Sequence, residues 1–169
     1  MLRLPKGTPL FENLDASDLQ LDNIITKLAN GCFTGYASLT FQNAVGIMVF
    51  ESGKLVSVII ENSTGTSLGG FEAITALAEQ MVSTTGSQLN VYRLSDDLTM
   101  CIHALLQGEV RYRAQELALI DIKTLLEKVK NEQMNCCLRI YTSDRSAMIF
   151  YKEGKDRKST RLNSSHRIR

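Results

Sequence analysis

The first regular element of the chain is marked by apolar residues with helical spacing: Leu21, Ile24, Ile25 and Leu28. Ser17 and Gln20 precede them with the spacing of a capping box, in which two side chains satisfy free amides at a helix start. Asn30-Gly31 follows as a helix stop. The pattern therefore predicts a helix between Ser17 and Gly31.

Three short, mostly apolar segments come next, separated by turn residues: Tyr36–Phe41, Val45–Phe50 and Leu55–Glu61. Asn43 and Ser52-Gly53 in the connections favour tight hairpins. Such a succession is typical of an antiparallel meander. The second and third segments are apolar on both faces, which predicts that they are central strands.

Two further helices are predicted, with one strand, Gln88–Leu94, between them. The earlier helix spans about Leu68–Val82 and carries an apolar stripe: Phe71, Ile74, Leu77, Ala78 and Met81. The later helix begins at Ser95 and ends before Gly108. Asp96-Asp97 in its first turn suits the positive end of the helix dipole.

The same pattern recurs 101 residues later, because Leu21–Lys54 aligns without gaps with Ile122–Lys155. Apolar positions coincide, as in Ile24 with Leu125, and the Gly53-Lys54 turn recurs as Gly154-Lys155. The second copy contains a predicted helix around 119–129 and two strands around an Asp144 turn: Cys136–Thr142 and Ala147–Lys152. We therefore expect an α+β fold in which a helix, an antiparallel meander and further helices are repeated, with the second repeat incomplete.

These patterns predict five segments along the chain. They are an irregular entry segment (1–17), a first α+β domain (18–108), a linker (109–118), the start of a second such domain (119–155) and a non-native tail (156–169). Because the second domain would be cut within its sheet, we expect exposed apolar edges at Met148 and Phe150.

The tail differs from the rest of the chain in composition. Residues 156–169 hold five bases, one acid and two apolar residues. Residues 156–166 resemble the in-frame translation of a common short-read sequencing adapter, so we expect that the gene itself continues beyond Lys155. Without the tail, the formal net charge falls from +1 to −3. A mildly acidic chain gives no electrostatic reason to expect a nucleic-acid partner.

Composition narrows the class of protein further. No apolar run approaches the ~20 residues of a membrane helix, and no secretory signal is visible at the start of the chain. Membrane insertion is therefore not expected. Four cysteines in no spaced framework suit a reducing compartment, which predicts a cytoplasmic protein. The oligomeric state stays open.

Several residues invite a chemical interpretation, but none forms a recognisable site. Gly65–Gly70 could bind an anion at a helix start, yet it lacks the lysine of a phosphate loop and suits a helix cap better. His103 has no partner at metal-ligand spacing, and adjacent strand residues Cys136-Cys137 point to opposite faces. We therefore predict no catalytic, cofactor-binding or metal-binding residue, and no enzyme.

Three motifs together resemble the PATAN family, the N-terminal domain of bacterial PatA-type signalling proteins. They are Phe33–Leu39, Gly46–Val56 and Gly69–Ala73. The resemblance covers about 7–106 and part of 122–155. It implies a signal-transduction module of unknown function with no catalytic residue to carry over, and members of this family occur beside receiver domains.

Three functions follow as hypotheses. The first is a non-enzymatic signalling module that binds protein partners, including receiver-domain proteins. The second is a regulator of a small GTPase, because the small α+β layering resembles roadblock-type domains. The third is a sensor of a small ligand or nucleotide at the Gly65–Gly70 helix start.

The tail hypothesis makes a direct prediction about the gene. A long read of the source DNA across codon 155 should continue with codons for a further strand rather than for residues 156–169. If the gene instead encodes Asp156–Arg169 and a stop codon, the tail belongs to the protein and an anionic partner becomes a realistic expectation.

Overall fold

The computed structural model describes residues 4–113, 115–142 and 145–163. The predicted Asp144 turn and residues 164–169 of the predicted tail lie outside the described residues. The chain divides into two compact units, Met1–Leu106 and Gln107–Arg169. Both contain helices and antiparallel sheets, so the predicted α+β class is confirmed.

The described elements of the first unit, in chain order, are these: β1 (Thr8–Asp15), α1 (Leu21–Asn30), β2 (Gly35–Thr40), β3 (Ala44–Glu51), β4 (Lys54–Asn62), β5 (Ser67–Gly69), α2 (Gly70–Ser83), β6 (Gln88–Arg93) and α3 (Asp96–Gln107). The second unit contains a short 3₁₀ turn, Leu117–Leu119, and then α4 (Ile122–Asn131), β7 (Cys136–Tyr141), β8 (Arg145–Lys152) and β9 (Lys155–Asn163).

The six strands of the first unit form one antiparallel sheet in the order β1-β6-β2-β3-β4-β5. Its ladder explains which side chains share a face, since cross-strand partners point the same way. Ala37 lies opposite both Met48 and Val91, and all three are buried in the main core together with residues of α1 and α2. Helices α1 and α2 therefore cover this face.

The other face of the sheet is also buried where strands β6, β2 and β3 lie side by side. Tyr36, Val49 and Tyr92, which share this face, are at most 5% exposed. Helix α3 directly follows β6 and buries Leu98 and Ile102 outside the α1–α2 core.

The predicted repeat is confirmed for α4, β7 and β8, which begin and end 101 residues after α1, β2 and β3. The structure continues the correspondence into β9, which lies 101 residues after β4 and is formed largely by residues that the sequence analysis assigned to the tail. Fine details recur as well. Gly53 N–H donates to Phe33 O at 2.8 Å, and Gly154 N–H donates to Met134 O at 3.1 Å. The bulge after Val49 has its counterpart after Phe150.

Two predictions about the ends of the chain were wrong. The entry segment is not irregular throughout, because Thr8–Asp15 forms β1; Pro9 is accommodated there because β1 is an edge strand. Met148 and Phe150 are not exposed but 0% and 2% accessible, because both lie on one face of β8, the central strand of its sheet.

Two details of the predicted helices were also wrong. Ser17 does not cap α1, which begins at Leu21 after an uncapped Gln20; its hydroxyl instead donates to Asp15 Oδ1 at 2.6 Å and accepts from Gly86 N–H at 3.0 Å. The buried stripe of α2 is Ala73, Leu77 and Met81, whereas Phe71 and Ala78 are exposed.

Gly53 provides a direct test of the contact between the β3–β4 turn and α1. Its φ is +82°, and an added Cβ would lie 2.4 Å from Ala29 O. Gly65 has a similar φ of +84° with nothing within 4 Å. We expect Gly65→Ala to cost about 1 kcal/mol of unfolding free energy, from backbone strain alone, and Gly53→Ala roughly 2–4 kcal/mol, since the clash adds to that strain.

Urea unfolding of both variants beside the wild type measures the difference, and far-UV circular dichroism checks that each variant folds. Equal losses for Gly53→Ala and Gly65→Ala would show that the Ala29 carbonyl does not constrain the turn.

Candidate functional site

The most exposed aromatic side chain of the first unit lies where β5 meets α2. Phe71 is 82% exposed, and Leu68, three residues earlier in β5, is 40% exposed. Large apolar side chains are normally withdrawn from water, so exposed ones at one junction are candidates for contact with another molecule. We call Leu68 and Phe71 the β5–α2 surface.

Local geometry explains why Phe71 faces solvent. Strand β5 has only three residues, and the chain then turns through Gly70, whose φ of +62° is suited to glycine. Helix α2 is oriented by burial of Ala73 and Leu77 against the sheet. Phe71 lies two residues before Ala73, about 200° away around the helix, and therefore points off the buried stripe.

The backbone at this junction is also accessible. Strand β5 is the outer strand beside β4, so its far side has no strand neighbour among the described residues. Gly69 is the N-cap of α2, and because glycine has no side chain it cannot cap the free amides of the first turn. The β5–α2 surface thus combines an apolar ring, an apolar aliphatic side chain and an open strand edge.

The opposite edge of the sheet carries a polar cluster that ties β1 to β6. Tyr92 Oη donates to Glu12 Oε1 at 2.6 Å, and Lys6 Nζ lies 3.2 Å from the same oxygen. Lys6 Nζ also lies 5.4 Å from the centroid of the Tyr92 ring. These contacts involve the entry segment, β1 and β6, so they help to hold the edge strand in place.

The cluster shifts the titration of its members. The Tyr92 hydroxyl and then Lys6 hold the pKa of Glu12 below its usual range, by hydrogen bonds to the carboxylate. The pKa of Lys6 is raised by Tyr92 and Glu12. Burial raises the pKa of Tyr36, whose ring centroid lies 5.3 Å from that of Tyr92. The polar groups of Lys6, Glu12 and Tyr92 are thus engaged with one another.

The structure places the residues that the sequence analysis singled out at separate positions in the fold. Gly65–Gly70 contains β5 and the start of α2 rather than a simple helix cap. Gly53 turns the β3–β4 hairpin with positive φ, as predicted for a turn glycine. Asp96-Asp97 lies in the first turn of α3, and Ser95 Oγ accepts from Leu98 N–H at 3.4 Å. The structure does not gather these positions into one site.

The sequence analysis singled out His103 but missed Thr99, a second polar residue with a buried side-chain atom on α3. Thr99 Oγ1 and His103 Nδ1 are both buried without a hydrogen-bond partner among the described residues, and Thr99 is 0% exposed. They lie one helical turn apart and therefore share a face of α3. The helical spacing was readable in the sequence, but which face α3 would bury was not.

The surface of the described residues includes a polar depression and a more apolar one. One is lined mainly by amides and hydroxyls: Asn43, Asn62, Ser63, Thr64 and Gln80. The other is more apolar and includes Tyr112, Leu119, Ile120 and Leu125. Asp121 at its margin is engaged as the N-cap of α4, accepting from Thr124 N–H at 3.1 Å. Within the described residues, no group of three or more potential metal ligands converges.

The Glu12 cluster predicts how acid affects stability. The pKa of Glu12 is lower in the folded protein than in the unfolded chain, so ionised Glu12 stabilises the fold at pH values above the usual carboxyl range. This stabilisation is lost as the pH falls through the lowered pKa. We expect Glu12→Gln to reduce the acid-induced loss of stability, measured as the shift in urea midpoint between about pH 7 and about pH 3.

Tyr92→Phe removes the hydrogen bond that lowers this pKa most, so it should reduce the acid-induced loss in the same direction. Asp15, whose pKa is lowered by Ser17, keeps its own acid sensitivity in both variants. An unchanged midpoint shift in Glu12→Gln would contradict a role for this cluster in stability.

Comparisons with known proteins identify the family. Every helix in the described residues is too short or too polar to cross a bilayer. No curated protein and no solved structure is significantly similar to the chain. The resemblance to the bacterial PATAN family was wrong, because the family that matches is archaeal. Residues 2–106 match the family described as "Uncharacterized protein conserved in archaea (DUF2226)", and the chain belongs to that family.

Proposed function

We propose that this chain is a non-enzymatic module that binds a protein partner through the β5–α2 surface. The observation that carries the proposal is the 82% exposure of Phe71, together with the partly exposed Leu68 three residues earlier in the edge strand β5. Aromatic side chains in such positions supply much of the binding energy of protein interfaces when a partner buries them.

The polar clusters support a binding role rather than a catalytic one. Lys6, Glu12 and Tyr92 bond to one another, and Asp121 caps a helix, so these groups serve the fold. A role in signal transduction, with a small GTPase as the partner, is the specific form of the proposal. A cytoplasmic location is proposed on the cysteine argument from sequence.

Site-specific photocrosslinking tests this function. A benzophenone amino acid placed at Phe71 should crosslink a discrete protein in the source cells, because a partner would cover this position. The matched control is Val82, which is 90% exposed and lies about three turns further along α2. The same label at Val82 should not capture that protein.

Once the partner is identified, purified components give the energetic test. Phe71→Ser should weaken binding by about tenfold or more, as expected for an aromatic hot spot, whereas Val82→Ser should change it less than about twofold. Both residues are exposed, so both variants should keep the wild-type unfolding midpoint. Equal effects of the two substitutions would remove the β5–α2 surface as the binding site.

A further inference from the structure

The stretch of chain that forms the β5–α2 surface carries charge of one sign. Residues 55–92, which form β5, α2 and most of β4 and β6, contain three glutamates and no lysine, arginine or histidine. Two of these glutamates, Glu72 and Glu79, are exposed on α2. Neither carboxylate forms an ion pair with any residue that the structure describes. Helix α2 therefore presents negative charge that the fold itself does not neutralise.

Both carboxylates lie on the same flank of Phe71. Successive residues of a helix are about 100° apart, so Glu72 lies about 100° and Glu79 about 80° around α2 from Phe71, in the same direction. The two glutamates are about two turns, or about 10 Å, apart along the helix axis. A molecule that covers Phe71 therefore meets the carboxylate of Glu72 beside the ring, with that of Glu79 further along the same flank.

We propose, on the basis of the function proposed above for this surface, that it binds a segment of the partner protein in which a large apolar side chain is flanked by lysine or arginine. The apolar side chain covers Phe71 and Leu68, and a basic side chain pairs with Glu72. In such an interface a buried apolar anchor supplies most of the binding energy. Complementary charges around the anchor speed association and select the partner.

Charge also distinguishes this partner from other occupants of the surface. A second copy of this chain, seated through the same residues, would bring the glutamates of two α2 helices together, and like charges across an interface oppose binding. A nucleic acid would place its phosphates against carboxylates, where it needs basic side chains. A basic segment of another protein has neither conflict.

Selection from a displayed library of short random peptides tests the proposal on the full chain. The wild type should enrich peptides in which an apolar residue is flanked by lysine or arginine, and Phe71→Ser should lose them. With Glu72→Lys the same library should instead yield peptides with aspartate or glutamate in the flanking positions, because the charge that selects them is reversed.

Asp22→Lys is the matched control. Like Glu72, Asp22 is an exposed acid in the first turn of a helix, so reversing either charge affects helix stability to a similar extent. Gly86 N–H, after α2, donates to Ser17 Oγ, before α1, at 3.0 Å. Helix α1 therefore begins near the end of α2 that is remote from Phe71. Asp22→Lys, and also Glu72→Asp, which keeps the charge, should enrich the same basic peptides as the wild type.

Affinity measurements on one enriched peptide give the size of the effect. By fluorescence anisotropy, Glu72→Lys should bind this peptide about fivefold more weakly than the wild type, as expected for an exposed charge pair. Asp22→Lys should bind it as the wild type does. Raising the salt concentration from about 0.05 M to about 0.5 M should weaken binding to the wild type but not to Glu72→Lys, because salt screens the attraction.

The outcomes separate this proposal from the proposed function. Peptides that require Phe71 but show no preference for bases, or that keep this preference in Glu72→Lys, overturn the basic segment and leave the β5–α2 surface as a binding site. Peptides that bind Phe71→Ser as well as the wild type, or no enrichment at all, overturn both. Circular dichroism and the urea midpoint verify that each variant is folded.

Discussion

The contact between a hairpin glycine and the end of the preceding helix organises both units. Gly53 approaches Ala29 O so closely that an added Cβ would lie 2.4 Å from it, and Gly154 repeats the approach with a distance of 2.7 Å to Lys130 O. Both glycines have positive φ, which a side chain would make costly. Because the turn rests on the helix end, the meander can extend across one helix face with its apolar side inward.

The sheet of the first unit has two different edges. Strand β1 is long and exposed, but two register shifts and the Lys6, Glu12 and Tyr92 contacts interrupt it. Such irregularities discourage uncontrolled pairing with other chains. Strand β5 is short and leads directly into the exposed Phe71. The two edges thus differ physically, and the apolar one is the edge at which we propose that a partner binds.

The candidate surfaces were only partly visible in the sequence. Phe71 lies within the apolar pattern of α2 and was assigned to its buried stripe, because helical spacing alone cannot choose between two neighbouring stripes. The choice was made by close packing: Leu77 lies against Gly46, where an added Cβ would be 2.1 Å from Leu77 Cδ2. That contact orients α2 and turns Phe71 to solvent. Ser17 likewise matched a capping pattern, but its hydroxyl links two loops.

The sequence by itself determined the local elements and the repeat, because helical and strand periodicities and turn glycines such as Gly53 act over a few residues. The α+β class followed from their order. Tertiary structure decided that residues 8–15 become a strand, since β1 exists only through pairing with β6, some 80 residues away. It also decided which strands form edges and which apolar residues stay exposed. These outcomes depend on contacts between distant segments, and no local pattern of side chains encodes such contacts.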